Sequence, residues 1–202
     1  MSSQNRVEVS VYQKPKKGNY QCGDSYFYTE TENEFVCVIA DGLGSGEFAK
    51  ESSQIVIDII KSNIHATVEQ LVKVCNSQLL GKRGVVVGIL KLDFKNHISS
   101  FSSIGNIGIM SITEEKLKKR NIPVGGYLAG HHRAFKVMKQ KLESNMNFIM
   151  FSDGVQDKEL SQCFFTNKSV ESITKTYEQL SDKIRMDDTT LIAMRYVAES
   201  SK

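Results

Sequence analysis

Hydrophobic and polar residues alternate at the start of the chain, where Val7, Val9 and Val11 are separated by Glu8 and Ser10, and this period of two predicts a half-buried strand. A second strand is expected over residues 26–29. A third is expected over 35–40, FVCVIA, whose unbroken apolar run implies burial on both faces. A hairpin through 30–34 would pair these two, and antiparallel pairing brings the start of one beside the end of the other. The period then changes. Phe48, Ser52, Ile55, Val56, Ile59, Ile60 and Ile64 recur at helical spacing behind Ser45 as cap. Thr67 and Gln70 form a capping box for a second helix bearing Leu71, Val72, Cys75 and Leu79, with Gly81 as its stop. Further strands are predicted over 85–94, 97–104, 107–112, 134–142, 148–151 and 191–197, with one more helix through Val170, Ile173, Tyr177, Leu180 and Ile184 behind Ser169. Helices with a single apolar stripe are expected to cover a sheet.

Composition narrows the picture. The chain has 202 residues, 40% hydrophobic and 24% charged, with two prolines and no low-complexity linker, so 1–202 is expected to be one domain with 1–5 frayed. A net charge of +3 gives no support for a nucleic-acid partner. The start lacks a charged segment followed by an apolar one, and no apolar run approaches spanning length, so a cytoplasmic protein without a membrane partner is expected. Cys22, Cys37, Cys75 and Cys163 show no C-x-x-C spacing, which argues against a zinc knuckle or redox pair, and Cys37 and Cys75 read as buried thiols. Residues 114–120, EEKLKKR, read as a solvated charged surface, with a phosphate-attracting patch as the alternative, and 125–132, ending in His131-His132, as a flexible loop.

The candidate chemistry lies at strand ends. Asp41 follows the buried run and is succeeded by Gly42, Gly44 and Gly46, a spacing that matches neither the dinucleotide fingerprint nor the Walker loop. Glu47 stands where a phosphate-binding loop would carry lysine, which favours a cation at this turn. The apolar run 148–151 ends in Ser152-Asp153-Gly154, an echo of Ala40-Asp41-Gly42. Asp24 lies where a strand begins, and Asp187-Asp188 precede another. Each aspartate alone reads equally as a cap or turn residue. As a set, carboxylates on rigid strand ends suit hard divalent cations, which prefer oxygen and keep several waters, and a bridged pair of ions activates water for attack on phosphorus.

At these residues the chain resembles the metal-dependent serine/threonine phosphatases of the protein phosphatase 2C family, and most closely their bacterial sporulation and stress-response branch. The matching pieces, in the family's order, are Gly23-Asp24, Ala40-Asp41-Gly42, Lys82-Arg83-Gly84, Ser103-x-Gly105-Asn106, Ser152-Asp153-Gly154 and Asp187-Asp188-x-Thr190. The resemblance implies an α+β fold, a four-layer α-β-β-α sandwich of two antiparallel sheets flanked by helices, with two Mn²⁺ or Mg²⁺ ions at one edge. It implies that Asp41 bridges both ions, Gly42 gives its carbonyl to one, Asp153 and Asp187 hold the other, Asp24 orients water on the metal, and Asp188 stands behind the ligands. Asp24, Asp41, Asp153 and Asp187 are thus the expected catalytic residues. The implied substrate is a phosphorylated stressosome-type scaffold protein, dephosphorylated by a monomer as negative feedback on general-stress sigma-factor activation. Three positions depart from the family: Leu43 replaces a histidine thought to be the general acid, Asn106 replaces a third-metal aspartate, and the phosphate-clamping arginine upstream of Asp24 has no clear match, Lys16 and Lys17 being the nearby basic residues. The rival expectation is a catalytically silent module of this fold that binds a regulator.

Overall fold

The computed structural model describes residues 5–44, 47–181 and 186–198. The strands are β1 Val7–Lys14, β2 Asp24–Glu30, β3 Glu34–Gly42, β4 Val85–Asp93, β5 Ile98–Ile104, β6 Gly108–Ile112, β7 Lys118–Arg120, β8 Met138–Lys141, β9 Asn147–Phe151 and β10 Thr189–Tyr196, and the helices are α1 Glu47–Ser62, α2 Val68–Gln78, α3 Asp157–Leu160 and α4 Val170–Leu180. One sheet has the order β1-β10-β9-β6-β7 and the other β2-β3-β4-β5-β8. Every strand pair is antiparallel.

Three apolar clusters account for the layering. Between the sheets, Phe35, Ile39, Leu90 and Leu92 meet Phe148, Met150, Ile192 and Met194. On the outer face of the second sheet, Val36, Val38, Val87 and Ile89 are covered by Val56 and Ile60 of α1 and Leu71, Val72 and Cys75 of α2. On the outer face of the first, Ile149, Phe151, Leu191 and Ala193 are covered by Ile173 and Tyr177 of α4. Alternate side chains of one strand thus feed two cores, which is why 35–40 is apolar without a break. This is the α-β-β-α sandwich of the expected α+β class.

The capping box at Thr67 forms as expected, with Gln70 N–H donating to Thr67 Oγ1 and Thr67 N–H to Gln70 Oε1. Ser169 caps α4 by accepting from Ser172 N–H. Both Cys37 and Cys75 are buried.

Other expectations need correction. Phe48 and Leu180 belong to the predicted apolar stripes but are exposed, because each lies at a helix end that overhangs the sheet. Ile64 lies beyond the end of α1. Residues 118–120 are exposed as expected but form β7, paired with β6. The segment 134–142 is strand only over β8. The 125–132 loop is tethered: Leu128 is buried and exchanges two backbone hydrogen bonds with Val85, of 2.9 and 2.8 Å. The short helices α3 and Cys163–Thr166 carry no periodic signal long enough to predict them. Ser45 and Ile184 lie outside the described residues.

Candidate metal-binding edge

One edge of the sandwich gathers the strand ends that carry acids. In the β2–β3 hairpin the register places Asp24 directly opposite Asp41 and Ala40 opposite Ser25. Gly42 stands opposite Val85 at the start of β4. The β10–β9 register, with Leu191 opposite Phe151, brings the segment after β9, with Asp153, beside the segment before β10, with Asp187 and Asp188. Ser152 N–H donates to the Thr190 carbonyl at 3.0 Å, and Thr190 N–H donates to Ser152 Oγ at 2.9 Å, so this junction is fixed by one main-chain bond and by the Ser152 hydroxyl.

Thr190 also joins the two sheets. Its hydroxyl donates to Asp24 Oδ2 at 2.6 Å, and Gln13 Nε2 of β1 donates to Thr190 Oγ1 at 3.1 Å. Asp24 is 1% exposed, yet its backbone is held as well, since Lys50 Nζ of α1 donates to the Asp24 carbonyl at 2.9 Å. Thr190, Ser152 and Lys50 were given no role by sequence reasoning. Thr190 and Ser152 do carry a sequence signal, as members of the Asp187-Asp188-x-Thr190 and Ser152-Asp153-Gly154 patterns, whereas Lys50 carries none.

Asp188 differs from the other acids. Its Oδ1 accepts from Lys16 N–H at 2.9 Å and its Oδ2 from Gly23 N–H at 3.0 Å, so both oxygens hold the loop that leads into Asp24. At Asp153, Asn106 Nδ2 donates to Oδ2 at 2.5 Å. Gly42 is closely covered: a Cβ there would collide with the Ala49 carbonyl in the first turns of α1, so the Asp-Gly turn accepts only glycine at that position.

The electrostatics of the edge are dominated by uncompensated carboxylates. Burial pushes Asp41 up to about 7, and the charges of Asp24, Asp153, Asp187 and Asp188 add to the shift. Burial likewise raises Asp24 to about 6, against the opposing effect of hydrogen bonds from Thr190 and Ser152. Asp153 is raised by burial and by Asp187. Among the described residues, no three His, Cys, Asp or Glu side chains close into a ready metal cage. Nevertheless, the donor set is all oxygen, it is concentrated on rigid strand ends, and its mutual repulsion is of the kind a divalent cation relieves. Hard cations complete such open sets with water. The residues present therefore fit Mg²⁺ or Mn²⁺. Beside this edge lies a cavity of about 650 Å³ whose lining includes Lys16, Tyr20, Gly23, Lys50 and Asp188.

No family model matches the chain. Among curated proteins, the phosphoserine phosphatase RsbX of Bacillus subtilis (strain 168) is 31% identical over 186 residues, covering 92% of this chain and 93% of that protein. The crystal structure of RsbX in complex with magnesium superposes with a TM-score of 0.86 at 31% identity, covering 96% of this chain and 97% of the other. The catalytic domain of the serine/threonine protein phosphatase PstP in complex with two manganese ions gives a TM-score of 0.76 at 13% identity, over 95% of this chain and 99% of that one, a likeness of fold alone. The architecture agrees with the sandwich that these neighbours share, and the identity to RsbX extends over nearly the whole length of both chains. The chain belongs to the family of the phosphoserine phosphatase RsbX, whose members carry the protein phosphatase 2C-like fold.

Proposed function

We propose that this protein, a protein phosphatase by family, hydrolyses phosphoserine or phosphothreonine on a stress-signalling protein, using two Mg²⁺ or Mn²⁺ ions held where β2 and β10 begin and β3 and β9 end. The observation that carries the reading is the in-register pairing of Asp24 with Asp41, tied through Thr190 to the segment bearing Asp187 and Asp188. The relatives support the metal, since RsbX was crystallised with magnesium and PstP with two manganese ions. Bound at this edge, the ions would supply Lewis-acid polarisation of the phosphoryl group and a nucleophilic water at neutral pH.

The roles we assign to the chain's own residues follow their surroundings. Asp41 interacts with all four other carboxylates and is suited to be shared by both ions, with the Gly42 carbonyl beside it. Asp153 and Asp187 would hold the second ion. Asp24 has one oxygen committed to Thr190 and thus a fixed orientation for positioning the attacking water. Asp188, with both oxygens on backbone amides, acts as a support for the loop before Asp24. Leu43 has no proton to give to the departing serine oxygen, so water or another group supplies it. Asn106, which stands where relatives carry a further acid, is spent on Asp153, in keeping with two ions.

The substrate we infer is a phosphorylated stressosome-type scaffold protein, met by a monomeric enzyme in the cytoplasm as negative feedback on a general-stress sigma factor. A neighbour at TM-score 0.84 comes from work on the bacterial stressosome. No described helix is long and apolar enough to cross a membrane. The test is hydrolysis of p-nitrophenyl phosphate and of a phosphorylated scaffold protein with Mn²⁺ or Mg²⁺, before and after chelation. Activity that is lost on chelation and restored by metal is expected. Activity surviving exhaustive chelation defeats the mechanism, and metal binding without turnover of either substrate favours the silent module.

A further inference from the structure

The charge balance of the proposed site raises a question. Asp24, Asp41, Asp153, Asp187 and Asp188 carry up to five negative charges, whereas two divalent ions bring four positive ones. A phosphate dianion meeting this edge therefore needs a positive group beyond the metals. The described cations around the edge differ in how they are held. Lys50 is committed to the Asp24 carbonyl, and Lys82 is paired with Glu51 at 2.7 Å. Lys16 is fixed at its backbone, where its N–H donates to Asp188, and it lines the neighbouring cavity, whereas Arg83 is not among that cavity's lining residues.

Arg83 is different. It precedes Gly84, whose carbonyl accepts from Leu43 N–H at 2.8 Å, so its backbone runs beside the Asp41-Gly42-Leu43 turn. Its Nη1 donates to the Leu43 carbonyl at 3.4 Å, one residue beyond the candidate metal-ligating carbonyl of Gly42. The guanidinium carbon stands 5.8 Å from the centre of the Phe48 ring. It crosses directly over Gly44, whose φ of +98° and missing side chain leave the space it occupies. Among the described residues it has no carboxylate partner. An exposed arginine braced by a carbonyl and an aromatic face, with its charge unspent, is preorganised for an anion, and its planar fork suits phosphate. The bracing also explains Phe48, an exposed aromatic that the helix itself does not need.

We propose that Arg83 is the phosphate-recognising cation of this site, its guanidinium binding the substrate's phosphoryl oxygens from the Leu43 side of the Asp-Gly turn. This rests on the phosphatase reading above. It assigns the task to the entry of β4, where sequence reasoning looked only to Lys16 and Lys17.

The experiment compares the full-length protein with R83A, R83K and F48A in Mg²⁺. Inorganic phosphate serves both as competitive inhibitor and as calorimetric titrant, and p-nitrophenyl phosphate and a phosphorylated scaffold protein are the substrates. R83A is expected to raise KM for p-nitrophenyl phosphate and the inhibition constant for phosphate by about tenfold or more, with kcat changing less than KM, as loss of a charge-assisted hydrogen bond implies. R83K should recover part of the loss by keeping the charge without the fork, and F48A should fall between wild type and R83A. Unchanged phosphate affinity in R83A overturns the proposal. So does a KM that rises for the phosphoprotein alone, which would place Arg83 on the protein contact and not on the phosphate. Because Arg83 is exposed, thermal unfolding of R83A should match wild type, and R83K provides a second variant should it not. A wild type without chelator-sensitive turnover sinks the phosphatase reading separately, while the ratio of phosphate affinities by calorimetry still decides Arg83.

Discussion

Replacing Asp41 by asparagine separates what this residue costs the fold from what it contributes to the site. In the metal-free protein, burial and four neighbouring carboxylates raise Asp41 from the ordinary 3.8 to about 7. A group whose pKa is raised on folding contributes stability that is complete below its unfolded value and is lost as pH rises through its folded value. For Asp41 the loss accumulates between about pH 4 and pH 7, and for Asp24, raised to about 6, over the lower part of the same window. At about 1.4 kcal/mol per pKa unit, the Asp41 displacement sets a ceiling of about 4 kcal/mol. Water at this half-buried edge screens the repulsion, so about 2 kcal/mol is the expected cost at pH 8. The amide of the replacement keeps the shape of the side chain and removes its charge. D41N should accordingly be more stable than wild type at pH 8 in chelator, by about 1 to 2 kcal/mol, and close to it at pH 4. Mg²⁺ should reverse the order, raising the midpoint of wild type and leaving D41N nearly unmoved, because binding to the native state alone stabilises it. The assay is urea unfolding at both pH values, with and without Mg²⁺. If D41N proved less stable than wild type at pH 8 without metal, the picture of uncompensated carboxylates would be wrong.

Thr190→Val keeps the volume of the buried side chain but strands Asp24 Oδ2, so it should cost about 1.5 to 3 kcal/mol in urea unfolding; a loss below about 0.5 kcal/mol would show that the link between the sheets carries little. Gly42→Ala must displace the first turns of α1, because the added carbon meets the Ala49 backbone, and should lower both thermal stability and metal affinity by calorimetry; an unperturbed variant would refute that packing. Asp188→Ala removes acceptors for Lys16 and Gly23 N–H but no proposed ligand, so activity should fall by about 10- to 100-fold, less than in Asp187→Ala; the reverse order would shift the ligand assignment by one residue. Because Asp41 and Asp24 must lose protons to bind metal, Mg²⁺ affinity should rise with pH until about 7 and then level, and a flat titration from pH 5 to 8 would argue against their ligation.

Local periodicity and backbone chemistry are legible from the order of residues alone. The alternation at Val7, Val9 and Val11, the unbroken run 35–40, the Thr67–Gln70 box and the Ser169 cap each report one element's own burial or its own unpaired amides, and each element forms. The pairing of Asp24 with Asp41 was legible for the same reason, since a short hairpin fixes its own register. Tertiary structure decided the rest. That β10 lies between β1 and β9, so that Asp187 and Asp188 arrive beside Asp153 and Thr190 reaches Asp24, depends on pairings between distant parts of the chain, which periodicity does not encode. The same holds for surfaces. Phe48 and Leu180 fit their helical stripes but overhang the sheets, and Leu128, in a glycine-rich loop, is buried by its exchange with Val85. An apolar position in the sequence states only that a side chain favours leaving water, and whether a neighbour stands there to cover it is settled by how the layers close.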